Sequence, residues 1–193
     1  MASLIFDIVR GMIFLHDSPV GFHGNLKTSN CLVDSRWVLK LADFGLQIFN
    51  VDWLDLPQIL AKSNHIKEDL CENLLYRAPE LLRTANGLSD FTQAYLQKSD
   101  AYSFAIILYE LHTRKGPFGE IPLMPSQILK RVIVHDSKEP MRPDLRFLLN
   151  DGGCGDFVKA LIVDAWAENP LDRPDFKVSA YLFLTASKSK TRL

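Results

Sequence analysis

The stretch HGNLKTSNCLVD, residues 23–34, decides the fold of this chain. It follows a segment from Leu4 to Leu15 in which apolar residues recur at helical spacing. After its polar residues, Cys31–Val33 and Trp37–Leu41 have the composition of two short strands, and Asp34-Ser35-Arg36 supplies the turn between them. We therefore predict a helix, then a polar loop, then a small hairpin.

Further motifs follow this loop along the chain. They are Asp43-Phe44-Gly45, Ala78-Pro79-Glu80, Ser99–Phe104 and, after Trp166, Asn169–Pro174. The set resembles the large lobe of a protein kinase, in which H-R-D-L-x-x-x-N forms the catalytic loop, D-F-G holds magnesium and A-P-E follows.

The resemblance implies an α+β, protein-kinase-like fold. This would be a mainly helical C-terminal lobe with short β-hairpins around the catalytic loop. It would cover residues 1–176, with the activation segment at about 43–80, and residues 177–193 would form a divergent C-terminal tail.

One position of the loop departs from the kinase pattern. Where a kinase has the aspartate that accepts the proton of the substrate hydroxyl, this sequence has Asn25, a carboxamide that is not a base. The resemblance therefore implies a catalytic site that is degenerate at Asn25. Lys27 matches the lysine that neutralises the transferring phosphate, and it would be vestigial. We expect the loop to keep the conformation of a kinase catalytic loop but to lack the residue that accepts the proton.

Within the kinase superfamily the loop resembles one branch. His23–Lys27, continued by Ser29–Lys40, is similar to the kinase-homology domain of receptor guanylate cyclases, as are Ala78–Arg83 and Gly116-Pro117-Phe118. The resemblance implies a regulatory pseudokinase that relays a signal to a cyclase domain in cGMP signalling. Neither kinase nor cyclase activity is expected of this chain, whereas the parent would be a guanylate cyclase that converts GTP to cyclic GMP.

Two alternatives stay open. One is a protein kinase fragment with ATP binding and phosphotransfer through some other base. The other is an inert interaction scaffold with no regulated output.

The kinase pattern also implies a nucleotide and metal site. Asn30 and Asp43 match the two magnesium ligands, and oxygen ligands suit that hard cation. The alternative is that both side chains only tie the loop together by hydrogen bonds.

Other residues match framework positions of the family. Structural roles are implied for His23, Phe44, Gly45, Glu80, Asp100 and Arg173. Among these, Glu80 and Arg173 are expected to form an internal ion pair. Asp100 is expected to cap backbone N–H groups of the catalytic loop from the central helix.

The chain carries neither the Gly-rich loop nor the lysine–glutamate pair of a kinase small lobe. We therefore expect no cofactor here, and ATP with magnesium only in a full module. The implied partners are the missing small lobe, a dimerising helix and the cyclase domain of a homodimeric parent. We expect a soluble, cytoplasmic fragment of a longer protein whose module lies on the cytoplasmic side of the plasma membrane.

Composition excludes several classes of partner. Lys and Arg number 22 against 23 Asp and Glu, which does not suggest nucleic-acid binding. No apolar run approaches the roughly 20 residues that span a bilayer, so no membrane insertion is expected. The cysteines, Cys31, Cys71 and Cys154, have no disulfide or metal-ligand spacing.

Periodicity predicts the remaining elements. Ala101–His112 is apolar nearly all round, which indicates a helix buried on all sides. Ser126–Val134 predicts an amphipathic helix, and Asp156–Trp166 another. The stretch Gln47–Tyr76 predicts mostly loop, with a short helix near Leu56–Leu60.

Overall fold

The computed structural model describes residues 2–45, 68–84, 90–134, 139–148 and 155–190, with side chains described as far as residue 183. The described residues form a mainly helical lobe with one two-stranded antiparallel sheet, so the expected α+β, kinase-like class is confirmed. The α-helices are α1 Ala2–His16, α2 Glu68–Leu74, α3 Pro79–Arg83, α4 Gln93–Thr113, α5 Pro125–Ile133, α6 Gly155–Ala165 and α7 Phe176–Lys190. The strands are β1 Cys31–Val33 and β2 Leu39–Leu41, and 3-10 turns lie at Thr28–Asn30, Leu145–Phe147 and Pro170–Asp172.

Helix α1 forms where the apolar spacing predicts it. Its buried stripe is Ile5, Ile8, Val9, Met12 and Leu15. This stripe contacts α7 and β2, so the first helix sits between the last helix and the hairpin. The Ser18 hydroxyl donates to the carbonyl of Leu15 and closes the helix end before Pro19.

The centre of the lobe is α4, which confirms the predicted buried helix. Every residue from Ser99 to Tyr109 is buried. The helix begins at Gln93 rather than Ala101, because the Thr92 hydroxyl accepts the N–H of Tyr95 and caps an earlier first turn.

The hairpin is shorter than predicted. Cys31 pairs with Leu41 and Val33 with Leu39, so β2 begins at Leu39 instead of Trp37. Trp37 has φ 60°, a backbone conformation that a strand residue does not adopt, so Trp37 lies in the turn before β2. The Asp34 carboxylate holds the turn by accepting two backbone N–H groups, those of Arg36 and Val38.

Part of the stretch predicted as loop is helical. Helix α2 covers Glu68–Leu74, buries Cys71 and Leu74, and packs against α5. The Glu68 carboxylate also accepts the backbone N–H and the hydroxyl of Ser126 in the first turn of α5. The prediction of loop was therefore wrong here, because tertiary contacts supply a helix that local periodicity does not. The short helix expected near Leu56–Leu60 lies outside the described residues.

The other two predicted helices are confirmed to within one residue at each end, as α5 and α6. The predicted boundary at residues 176 and 177 falls in the first turn of α7, whose Ser179 and Phe183 are buried, and that boundary stays a prediction. Across the described part of the chain, no helix has the length and apolar character that a bilayer crossing requires.

One carboxylate joins two arginines away from the catalytic loop. Glu168 accepts from Arg83 Nη1 at 2.5 Å and from Arg142 Nη2 at 2.6 Å. Arg83 also donates to the carbonyls of Val132 and Ile133, so the network links α3 to the end of α5. Burial acts to raise the pKa of Glu168, but the hydrogen bonds from both arginines outweigh it and the pKa is lowered.

This network predicts a pH dependence. Glu168→Gln should cost about 1–2 kcal/mol at neutral pH, between the values for exposed and buried pairs. Since the folded-state pKa of Glu168 lies below its ordinary 4.5, the contribution is complete above that value and is lost as the pH falls through the folded-state pKa. Denaturant melts of both proteins should therefore converge in acid. A difference that persists unchanged at strongly acidic pH would contradict the pairing.

Candidate functional site

Asp100 from α4 holds the start of the catalytic loop. Its two carboxylate oxygens accept the backbone N–H groups of His23 and Gly24, each at 2.8 Å. His16 Nε2 lies 2.9 Å from the same carboxylate, which is 1% exposed. Gly24 has φ 73°, in the left-handed region that favours glycine. The central helix thus fixes the loop through the Asp100 side chain, which caps backbone N–H groups of the loop as predicted from the sequence.

Main-chain groups of Asn25 complete the loop. The N–H of Asn25 donates to His23 Nδ1 at 3.3 Å, and its carbonyl accepts from Asn30 Nδ2 at 2.8 Å. Asn30 is 4% exposed and therefore ties the loop internally. Between His23 and Asn30 the sequence contains no carboxylate, so the loop itself offers no carboxylate base.

His23 is a framework residue in this geometry. It is fully buried, and burial lowers its pKa despite the nearby charge of Asp100. Its ring meets Phe44 edge to face at 6.1 Å between centroids, and its carbonyl accepts the N–H of Gly45, which has φ 73°. A neutral, enclosed imidazole is poorly placed to take a proton from a substrate.

Asn30 and Asp43 come to the same end of the hairpin. The N–H of Ala42 donates to the carbonyl of Asn30 at 2.9 Å, which sets Asp43 directly beside the loop. Asp43 is exposed and has φ 58°. The Asn30 amide donates its N–H to the loop and leaves Oδ1 as an acceptor. Asn30 Oδ1 and the Asp43 carboxylate are oxygen groups of the kind that magnesium prefers.

Asn30 and Asp43 alone offer too few oxygen atoms to complete the coordination of a magnesium ion. No group of three or more His, Cys, Asp or Glu side chains that could hold a metal occurs among the described residues. Magnesium takes about six oxygen ligands and is usually held by one or two protein carboxylates together with phosphates and water. Asn30 and Asp43 would thus supply the protein side of a shared site.

The activation segment contacts the loop through two side-chain links that the sequence did not predict. Lys27 Nζ donates to Asn73 Oδ1 of α2 at 2.8 Å. The Tyr76 hydroxyl donates to Glu110 at 2.6 Å and lies 3.0 Å from the Thr28 hydroxyl. Burial, followed by the bond to Glu110, raises the pKa of Tyr76. Nothing in the residue types signals these links, because each depends on how the segment returns to the loop.

Glu80 and Arg173 meet across the lobe as the sequence predicts. Arg173 donates from Nη1 and Nη2 to the two Glu80 oxygens at 2.7 and 2.9 Å. Its remaining N–H groups reach the carbonyls of Ala167, Lys98 and Glu168. Arg173 is 1% exposed, so all five donors of a buried guanidinium have acceptors.

The loop, the hairpin and the segment that ends at Ala78-Pro79-Glu80 have the arrangement of the large lobe of a protein kinase. The family model described as "Protein tyrosine and serine/threonine kinase" matches residues 1–181. The chain therefore belongs to this kinase family and corresponds, within it, to the kinase-homology domain of receptor-type guanylate cyclases.

The curated relatives that support this branch are receptors from several animals. The chain is 42% identical to Receptor-type guanylate cyclase Gyc76C of Drosophila melanogaster, over 92% of the chain and 11% of that protein. It is 40% identical to Receptor-type guanylate cyclase gcy-28 of Caenorhabditis elegans, over 90% of the chain and 13% of that protein. It is 39% identical to human Atrial natriuretic peptide receptor 2, over 90% of the chain and 15% of that protein. The chain thus spans less than a sixth of the length of these relatives.

Proposed function

We propose that this chain is the large lobe of a regulatory pseudokinase that relays a signal to the cyclase domain of a receptor guanylate cyclase. Asn25 carries the proposal: it stands where a kinase has its proton acceptor, in a loop whose frame Asp100 and Asn30 still hold. A catalytic loop that keeps its hydrogen bonds but has no proton acceptor suits a protein that transmits a change of packing rather than a phosphoryl group.

The similarity to receptor guanylate cyclases supports a wider setting for the lobe. In the full parent, a small lobe would add the Gly-rich loop and the lysine–glutamate pair, and Asn30 and Asp43 would then share a magnesium ion with bound ATP. The parent would be a homodimer at the plasma membrane with this lobe on the cytoplasmic side.

A receptor chimera tests the relay. The matching segment of human Atrial natriuretic peptide receptor 2 is replaced by this chain, and cyclic GMP is measured in membranes with and without the natriuretic peptide. We expect synthesis that rises with the peptide. A flexible Gly/Ser linker of the same length, in place of the chain, should abolish the rise. A chimera that reaches the membrane at normal levels but gives no rise would favour an inert scaffold.

Phosphotransfer separates the proposal from the kinase alternative. The purified chain should transfer no phosphate from ATP to itself or to generic substrates, because Asn25 is not a base. Asn25→Asp should not restore transfer, since the chain lacks the phosphate-covering loop. Phosphorylation by the unmodified chain that is abolished by Asp43→Ala would overturn the proposal.

A further inference from the structure

We draw no further inference here: the strongest candidate, the patch of exposed apolar side chains on the hairpin and its turn (Leu32, Val33, Trp37 and Val38), carries no proposal because nothing in the described part of the structure shows what covers it.

Discussion

Arg173→Lys should destabilise the lobe almost as much as Arg173→Ala, by about 3–5 kcal/mol, the cost of breaking a buried ion pair. Arg173 is 1% exposed and presents all five guanidinium N–H groups to acceptors, two of them on Glu80. A lysine ammonium is a single centre with three donors and cannot reproduce that planar fork. Denaturant unfolding of the three proteins measures the difference.

Arg146 supplies the matched control. It also makes a two-point bond with a carboxylate, that of Asp144, but its side chain is 88% exposed. Arg146→Lys should therefore change stability little, because solvent screens the pair. If Arg146→Lys proved as costly as Arg173→Lys, burial would not be the cause.

A double-mutant cycle isolates the contact between Glu80 and Arg173. Removing both partners should cost clearly less than the sum of the two single replacements by alanine, because each single change leaves a charge without its counterpart. Simple additivity would mean that the two side chains do not interact in solution.

Asp100→Ala should lower the free energy of unfolding by roughly 2–6 kcal/mol, at about 1–3 kcal/mol for each of two N–H groups left without an acceptor. The groups concerned are the N–H groups of His23 and Gly24. Asp100→Asn should cost roughly half as much, because it keeps one carbonyl oxygen. Hydrogen exchange at these two amides should accelerate in both variants, and melts report the stability.

Asp175→Asn is the comparison for this second series. Asp175 is exposed and accepts the N–H of Val178 at 2.8 Å in the first turn of α7. Asparagine caps a helix about as well as aspartate, so the change should be small. Unchanged exchange at His23 and Gly24 in Asp100→Ala would show that Asp100 does not hold the loop.

The sequence was most informative where one motif determines one contact. The bond from Asp100 to the loop and the pair of Glu80 with Arg173 both join residues that the kinase motifs name, so the resemblance predicted each contact despite the long separation in sequence. The buried helix α4 was predicted because Ala101–His112 is apolar nearly all round, and the structure buries every residue from Ala101 to Tyr109.

Other features depend on tertiary context that no local pattern carries. Helix α2 is held by packing on α5 and by Glu68 against Ser126, and sustained apolar periodicity does not mark it in the sequence. The turn at Trp37 has a positive φ, and no glycine at that position predicts it. The bridge from Arg83 through Glu168 to Arg142 joins three segments whose approach only the folded chain defines.

Asn25 contributes to the loop through its backbone N–H and carbonyl, in every hydrogen bond described for it. Neither of these two bonds depends on the identity of the side chain, so an aspartate at this position could form both of them. A single G-to-A change in an aspartate codon gives asparagine, so a kinase ancestor could have lost its proton acceptor in one mutational step. Such a lobe would keep the main-chain hydrogen bonds that frame the loop.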